Sequence, residues 1–189
     1  MGQKFTITEQ ERKQIRGLYE QQTPQTIQPQ IQGSFEYGPQ GLTPYVVMNV
    51  NGVTGQDLFN KTMNWVKTNW QNPDKVLKMT IPNEKIRIEG FEQGLLAINK
   101  DKYPISCGYT IEISFKDNKL KFDVVSILSA PQGVPTGYNY REYPNFKTDE
   151  KTVKHWGNSA VRIESYFNNL VNTLSTYISG GGSTTKDDW

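Results

Sequence analysis

The side chains that most often carry catalysis are scarce in this sequence, which holds one histidine, His155, and one cysteine, Cys107. Histidine is the commonest general base because its pKa lies near neutrality. His155 sits between Lys154 and Trp156 in a helical pattern, and no nearby serine, cysteine or carboxylate arrangement resembles a triad. It reads as a surface or half-buried structural residue. A single cysteine can form neither an internal disulfide nor a thiolate-rich metal centre. Cys107, beside Gly108 and Tyr109 at the start of a strand pattern, reads as a buried structural thiol.

The carboxylates offer no better start. Glu84, Glu89 and Glu92 fall in or beside a hairpin pattern, where alternation scatters them, whereas paired-carboxylate catalysis needs them to converge in a cleft. Asp187 and Asp188 are adjacent in a polar tail and make a weak cation site. Gly180 to Gly182 follow a helical pattern, the wrong order for cradling a phosphate on a helix N-terminus. The expectation is therefore a protein that is not an enzyme, with no catalytic residue, no cofactor and no metal. What remains is chemistry of recognition. Tyr138, Tyr140 and Tyr143 stand in a long aperiodic stretch from Pro131 to Pro144, and loops of that length are often functional. Lys100, Lys102, Lys116, Lys119 and Lys121 could face nucleic acid, although lysines also protect sheet edges.

These groups must be positioned by a core. The chain has 189 residues, enough for one domain, and 12% of them are aromatic, more than disordered chains carry. Mean hydropathy is −0.67, so polar extensions are expected around that core. Net charge is +2 with both signs interspersed, which gives no long-range field toward nucleic acid. No apolar run approaches the roughly 20 residues that cross a bilayer, and the opening residues lack the core of a signal peptide, with charges following at Glu9, Glu11, Arg12 and Lys13. No membrane partner is expected. The expected location is a host cytoplasm or something assembled there.

Residues 1–41 read as a docking helix and linker. Thr8 and Glu11 form a capping box, and Ile15, Leu18 and Tyr19 make a small apolar stripe too short to fold alone. Glutamines and prolines then run from Gln21 to Gln32, the composition of an extended linker, and the style continues to Gly41. The folded domain is expected over residues 42–179. Tyr45 to Val50 reads as a strand, and Thr54 caps a helix carrying Phe59, Met63, Val66 and Trp70 at helical spacing until Pro73. Four strands follow, at Val76–Ile81, Lys85–Phe91, Tyr109–Phe115 and Leu120–Leu128, with a turn at Asp117-Asn118 and, after the second, a Gly-, Lys- and Asp-rich loop whose Leu95, Leu96 and Ile98 could extend the hairpin. One long helix from about Asp149 to Ser179 carries Val153, Trp156, Ala160, Ile163, Phe167, Leu170, Leu174 and Tyr177. Residues 180–189 form a Gly-rich tail ending in Trp189. A helix buries its stripe only against another layer. The expected fold is α+β and two-layered: an antiparallel sheet with two helices on one face.

Strand, helix, four strands and long helix is also the order of the half-repeat of the TATA-binding-protein fold. The stretch from Tyr45 to Ser126 resembles a bacterial domain family of unknown function described as TBP-like, through Leu58-Phe59 and Asn64-Trp65-Val66 and through Tyr109-Thr110-Ile111-Glu112-Ile113 followed by Lys116-Asp117-Asn118-Lys119-Leu120. The resemblance implies the fold and brings no catalytic residues. Its members typically carry a secretion signal, where this chain has Thr6-Ile7-Thr8-Glu9-Gln10-Glu11-Arg12, which looks like a short tag that opens many phage proteins. The expected function is a non-enzymatic structural or interaction protein of a phage particle or its assembly machinery. It would dock protein partners through Ile15, Leu18, Tyr19, Tyr138, Tyr140, Tyr143 and Trp189. Single-stranded nucleic-acid binding, or carriage of a small apolar ligand between sheet and long helix, are the alternatives.

Overall fold

The structure is a computed structural model that describes residues 7–20, 27–129, 138–144 and 146–181, with only the backbone of 15–20 and of 181. Helix α1 (Glu9–Glu20) opens with the expected capping box: the Glu11 amide donates to Thr8 Oγ1 at 3.3 Å, and Glu11 Oε2 accepts from the Thr8 amide at 2.8 Å. Those two bonds satisfy amides that a helix start otherwise leaves free.

The domain is built on a six-stranded antiparallel sheet, with strands β1 (Gln30–Gln32), β4 (Tyr45–Asn49), β5 (Leu77–Ile81), β6 (Lys85–Ile98), β7 (Tyr103–Lys116) and β8 (Lys119–Ser129) ordered β1-β4-β8-β7-β6-β5. A short ribbon of β2 (Tyr37–Gly38) and β3 (Gly41–Leu42) stands apart. The helices α2 (Gly55–Asn69) and α5 (Ser159–Thr176) cover one face of the sheet, with α3 (Pro73–Val76) and α4 (Glu150–Trp156) as short connectors. This is the α+β, two-layer arrangement expected from the sequence. Ile86, Ile88, Ile111, Ile113, Leu120 and Phe122 alternate inward along three strands and meet Leu58 and Trp65 of α2 and Ile163 and Phe167 of α5. Period-2 alternation on the sheet and a 3.6-residue stripe on each helix bury both surfaces at once.

Two expectations need correction, and one open reading is resolved. First, residues 30–41 belong to the domain and not to a linker. β1 pairs with β4 in register, and Phe35, Tyr37 and Leu42 are buried. The Phe35 ring lies edge-to-face against Phe122 and Phe167, with centroids at 5.9 and 6.0 Å. Asn168 of α5 grips the Phe35 backbone from both sides, accepting its N–H at 2.8 Å and donating to its carbonyl at 3.0 Å. The Tyr37 amide donates to the buried Glu164 at 2.7 Å, and Lys147 neutralises that carboxylate at 2.9 Å. An edge strand with one solvated face tolerates glutamines, which is why the composition misleads.

Second, the long helix is two helices. α4 closes at Gly157, whose φ of +55° favours glycine, and a Cβ there would run into the Asp101 carboxylate. Asp101 sits in the turn between β6 and β7. It accepts from the Asn158 amide at 3.0 Å and from Arg162 at 2.8 Å, so the hairpin tip fixes where α5 begins. Burial works against its charge, but the Arg162 and Asn158 hydrogen bonds outweigh it and hold the carboxyl below its usual range.

For the Gly-, Lys- and Asp-rich stretch after Phe91, the second reading holds: Leu95, Leu96 and Ile98 extend the hairpin. β6 runs on to Ile98 through a register shift between Glu92 and Leu96, and Asn99 to Lys102 make the turn, the first three at positive φ. The shift absorbs the residues that break strict alternation.

Candidate binding face

The face of the sheet away from the helices carries the ordered polar chemistry of the domain. Its side chains form four rows across the strands. At the end nearest the β7–β8 turn, Lys116 is paired with Lys119, Lys119 with Asn49, and Asn49 with Gln30. The next row is Ile81, Lys85, Ser114, Lys121, Val47 and Gln32. The third is Arg87, Glu112, Asp123 and Tyr45, and the fourth is Glu89, Thr110 and Ser126. The face therefore grades from two unopposed lysines at the turn to a net acidic end.

Ion pairs between rows set the side chains in place. Glu112 accepts from Lys85 Nζ at 2.8 Å and from Arg87 Nε at 2.9 Å. The Lys85 hydrogen bond, then that of Arg87, keep its carboxyl below the usual range despite partial burial. Lys121 Nζ bonds Asp123 Oδ2 at 3.0 Å and lies over the Tyr45 ring, 5.1 Å from its centroid. Lys116 and Lys119 make no ion pair among the described residues. A groove of about 400 Å³ opens here, lined by Tyr45, Val47, Ser114, Lys116, Lys119 and Lys121 with Leu120 beneath.

The turn that ends this groove is strapped from behind. Asp117 Oδ1 accepts from the Gly55 amide at the start of α2 at 2.8 Å. Asn118 accepts from the Gly52 amide through Oδ1 at 2.8 Å and from the Val50 amide through its carbonyl at 2.7 Å, and it donates its own amide to Val53 at 2.8 Å. Asn118 adopts φ +65°, the left-handed conformation that asparagine tolerates. The expected cap of α2 is also present, Thr54 Oγ1 accepting from Asp57 at 3.1 Å.

A second constellation lies on the helix side. The hydroxyls of Tyr109 and Tyr166 are 2.6 Å apart, and Trp70 Nε1 donates to Tyr109 at 3.3 Å. Burial pushes both phenols up, so neither gives up its proton near neutrality. The network fixes ring positions, and the Tyr109 ring lies where any Cβ at Gly90 would fall. Cys107 is buried as expected, and burial pushes its thiol up to about 12.

The sequence-derived tyrosines Tyr138, Tyr140 and Tyr143 are brought into one aromatic cluster, with ring centroids 5.2 Å apart for Tyr138–Tyr140, 5.4 Å for Tyr138–Tyr143 and 6.2 Å for Tyr140–Tyr143. Tyr140 is buried and Tyr143 half-buried. With Phe146 and Trp156 they close one end of the core, and Tyr140 accepts at its carbonyl from the Tyr37 hydroxyl at 2.8 Å. Of the three, Tyr138 is the exposed one, at 47%. Ile15, Leu18 and Tyr19 lie on α1, but their side chains are outside the described residues, as are Trp189 and the pair Asp187-Asp188. His155 is exposed, its ring 4.9 Å from that of Trp156. Among the described residues no three His, Cys, Asp or Glu side chains cluster to hold a metal ion. None of the helices there is long and apolar enough to cross a membrane. Of the lysines considered for nucleic acid, Lys116, Lys119 and Lys121 share the groove. Tyr45 and Val47 were legible only as strand residues.

Residues 45–128, from the start of β4 nearly to the end of β8, match the model of a family described as a domain of unknown function (DUF4468) with TBP-like fold. A TBP-like protein from Parabacteroides distasonis ATCC 8503 superposes with a TM-score of 0.55 at 11% identity, over 74% of this chain and 92% of that one. A DUF4468 family protein from Bacteroides ovatus ATCC 8483 superposes with a TM-score of 0.51 at 10% identity, over 82% and 94%. The fold is TBP-like. No curated protein matches the sequence.

Proposed function

We propose that this chain is a non-catalytic interaction module that docks protein partners in a larger assembly, with the open sheet face as its contact surface. The observation that carries this reading is the contrast within one sheet. The helix side is filled with apolar side chains, while the other side holds its charged groups in fixed register beside a groove. A solvated sheet face needs no such groove; polar scatter would satisfy it. Lys85, Arg87 and Lys121 are held by carboxylate neighbours, which lowers the entropy lost on binding, while Lys116 and Lys119 are left for a partner. The capped helix α1 would be a second contact, and the phage-like opening sequence suggests a phage particle as the assembly.

The test is affinity purification of the full chain from its own host at native level, beside a Lys116→Glu/Lys119→Glu variant. The reading expects a stoichiometric protein partner, identified by mass spectrometry, with the wild type and its loss with the variant. A wild-type protein that purifies as a free monomer, or with nucleic acid in place of protein, overturns it.

A further inference from the structure

We infer that the groove at the β7–β8 turn is the seat for a short acidic protein segment carrying an aromatic residue. This rests on the reading of the domain as a protein-binding module and names the chemistry of its ligand. Lys116 and Lys119 stand directly opposite each other in the antiparallel ladder. Like charges in that position destabilise a hairpin. Both lie outside every ion pair of the described residues, and Lys121 adds a third ammonium one row away. A repulsion left uncompensated in the free domain, at a turn held by four hydrogen bonds to the α2 start and its preceding loop, is one that an anionic ligand would relieve.

The floor of the groove chooses among anions. Tyr45 and Val47 of β4 present an aromatic ring and a branched alkyl group along the β8 side of the lysines. Lys121 covers one side of the Tyr45 ring, and the ring edge remains for an incoming aromatic. Beyond the two lysine rows, the third sets Glu112 and Asp123 against Arg87 alone, and the fourth carries Glu89 as its only charge. An anionic chain crossing the sheet would meet those carboxylates, so the favourable field spans only the turn end. That suits a run of two or three acidic residues beside one aromatic, and it disfavours a phosphate backbone, which keeps its charge along its whole length.

The experiment is fluorescence anisotropy of the full chain with fluorescein-labelled Gly-Asp-Asp-Trp-Asp-Asp-Gly, its Asn-for-Asp counterpart, and a 20-mer of deoxythymidine. The acidic peptide is expected to bind and the amide peptide not. Lys116→Glu should weaken binding at least tenfold while raising the melting temperature, because it turns a like-charge pair into an opposite one. Tyr45→Ala should weaken binding at least threefold. No binding of the acidic peptide, or binding unchanged in Lys116→Glu, overturns the groove assignment and leaves the module reading to its own test. Oligonucleotide binding that Lys116→Glu abolishes overturns both. The higher melting temperature shows that lost binding is not lost folding.

Discussion

The two faces of this sheet are made by the same strands, yet they are held together in opposite ways. On the helix side, stability comes from area removed from water and from edge-to-face aromatics centred on Phe35, Phe122 and Phe167. On the open side, it comes from ion pairs between partly exposed groups, each contributing little. One residue step along a strand moves a position from a site where substitution costs the fold to one where it is nearly free. A surface that can change without unfolding its scaffold is where recognition is cheaply placed.

The sharpest way to break that comparison is on the sealed side. Phe167 is fully buried against Phe35 and Tyr109. Phe167→Ala should cost about 3–5 kcal/mol in urea unfolding; an unchanged midpoint would show that the core is centred elsewhere. Next in size is Gly90→Ala, which puts a methyl group into the Tyr109 ring and displaces the Tyr109–Tyr166 pair. A loss of about 1–3 kcal/mol is expected, with a changed near-ultraviolet circular dichroism signal from the tyrosines and Trp70.

A smaller effect should come from Glu112, and it depends on pH. Its folded pKa is depressed by Lys85 and Arg87. Its contribution is therefore complete above the unfolded value of about 4.3 and is lost as pH falls through the folded one. Glu112→Gln should lower the melting temperature near neutrality and flatten its decline below about pH 5. Parallel curves for wild type and variant would contradict the ion-pair account. Smallest of all is Tyr45→Ala, which removes one exposed cation–π contact and should change stability by less than about 1 kcal/mol.

The sequence made some of this visible and hid the rest for identifiable reasons. The inward alternation from Tyr109 to Phe115 and the stripe through Phe59, Val66 and Phe167 specify sheet and helices, because burial dictates residue type there. Phe35 was hidden because its neighbours are polar and its partners, Phe122 and Asn168, are remote in sequence. The break at Gly157 was hidden because the apolar period runs through it unaltered, and only the contact with Asp101 shows why glycine stands there. Tyr140 and Tyr143 suggested a binding loop because exposure cannot be read from residue type. The groove was half legible. Its lysines could be suspected, but their union with Tyr45 and Val47 depends on the pairing of β4 with β8.

The most direct test of the two-face account is lysine acylation footprinting of the protein, free and within its native assembly. Lys116, Lys119 and Lys121 of the open face should become protected on assembly, while Lys61 and Lys67 of α2 keep their free-state reactivity. Protection of Lys61 and Lys67 with Lys116 and Lys119 still reactive would place the contact on the helices and contradict the account.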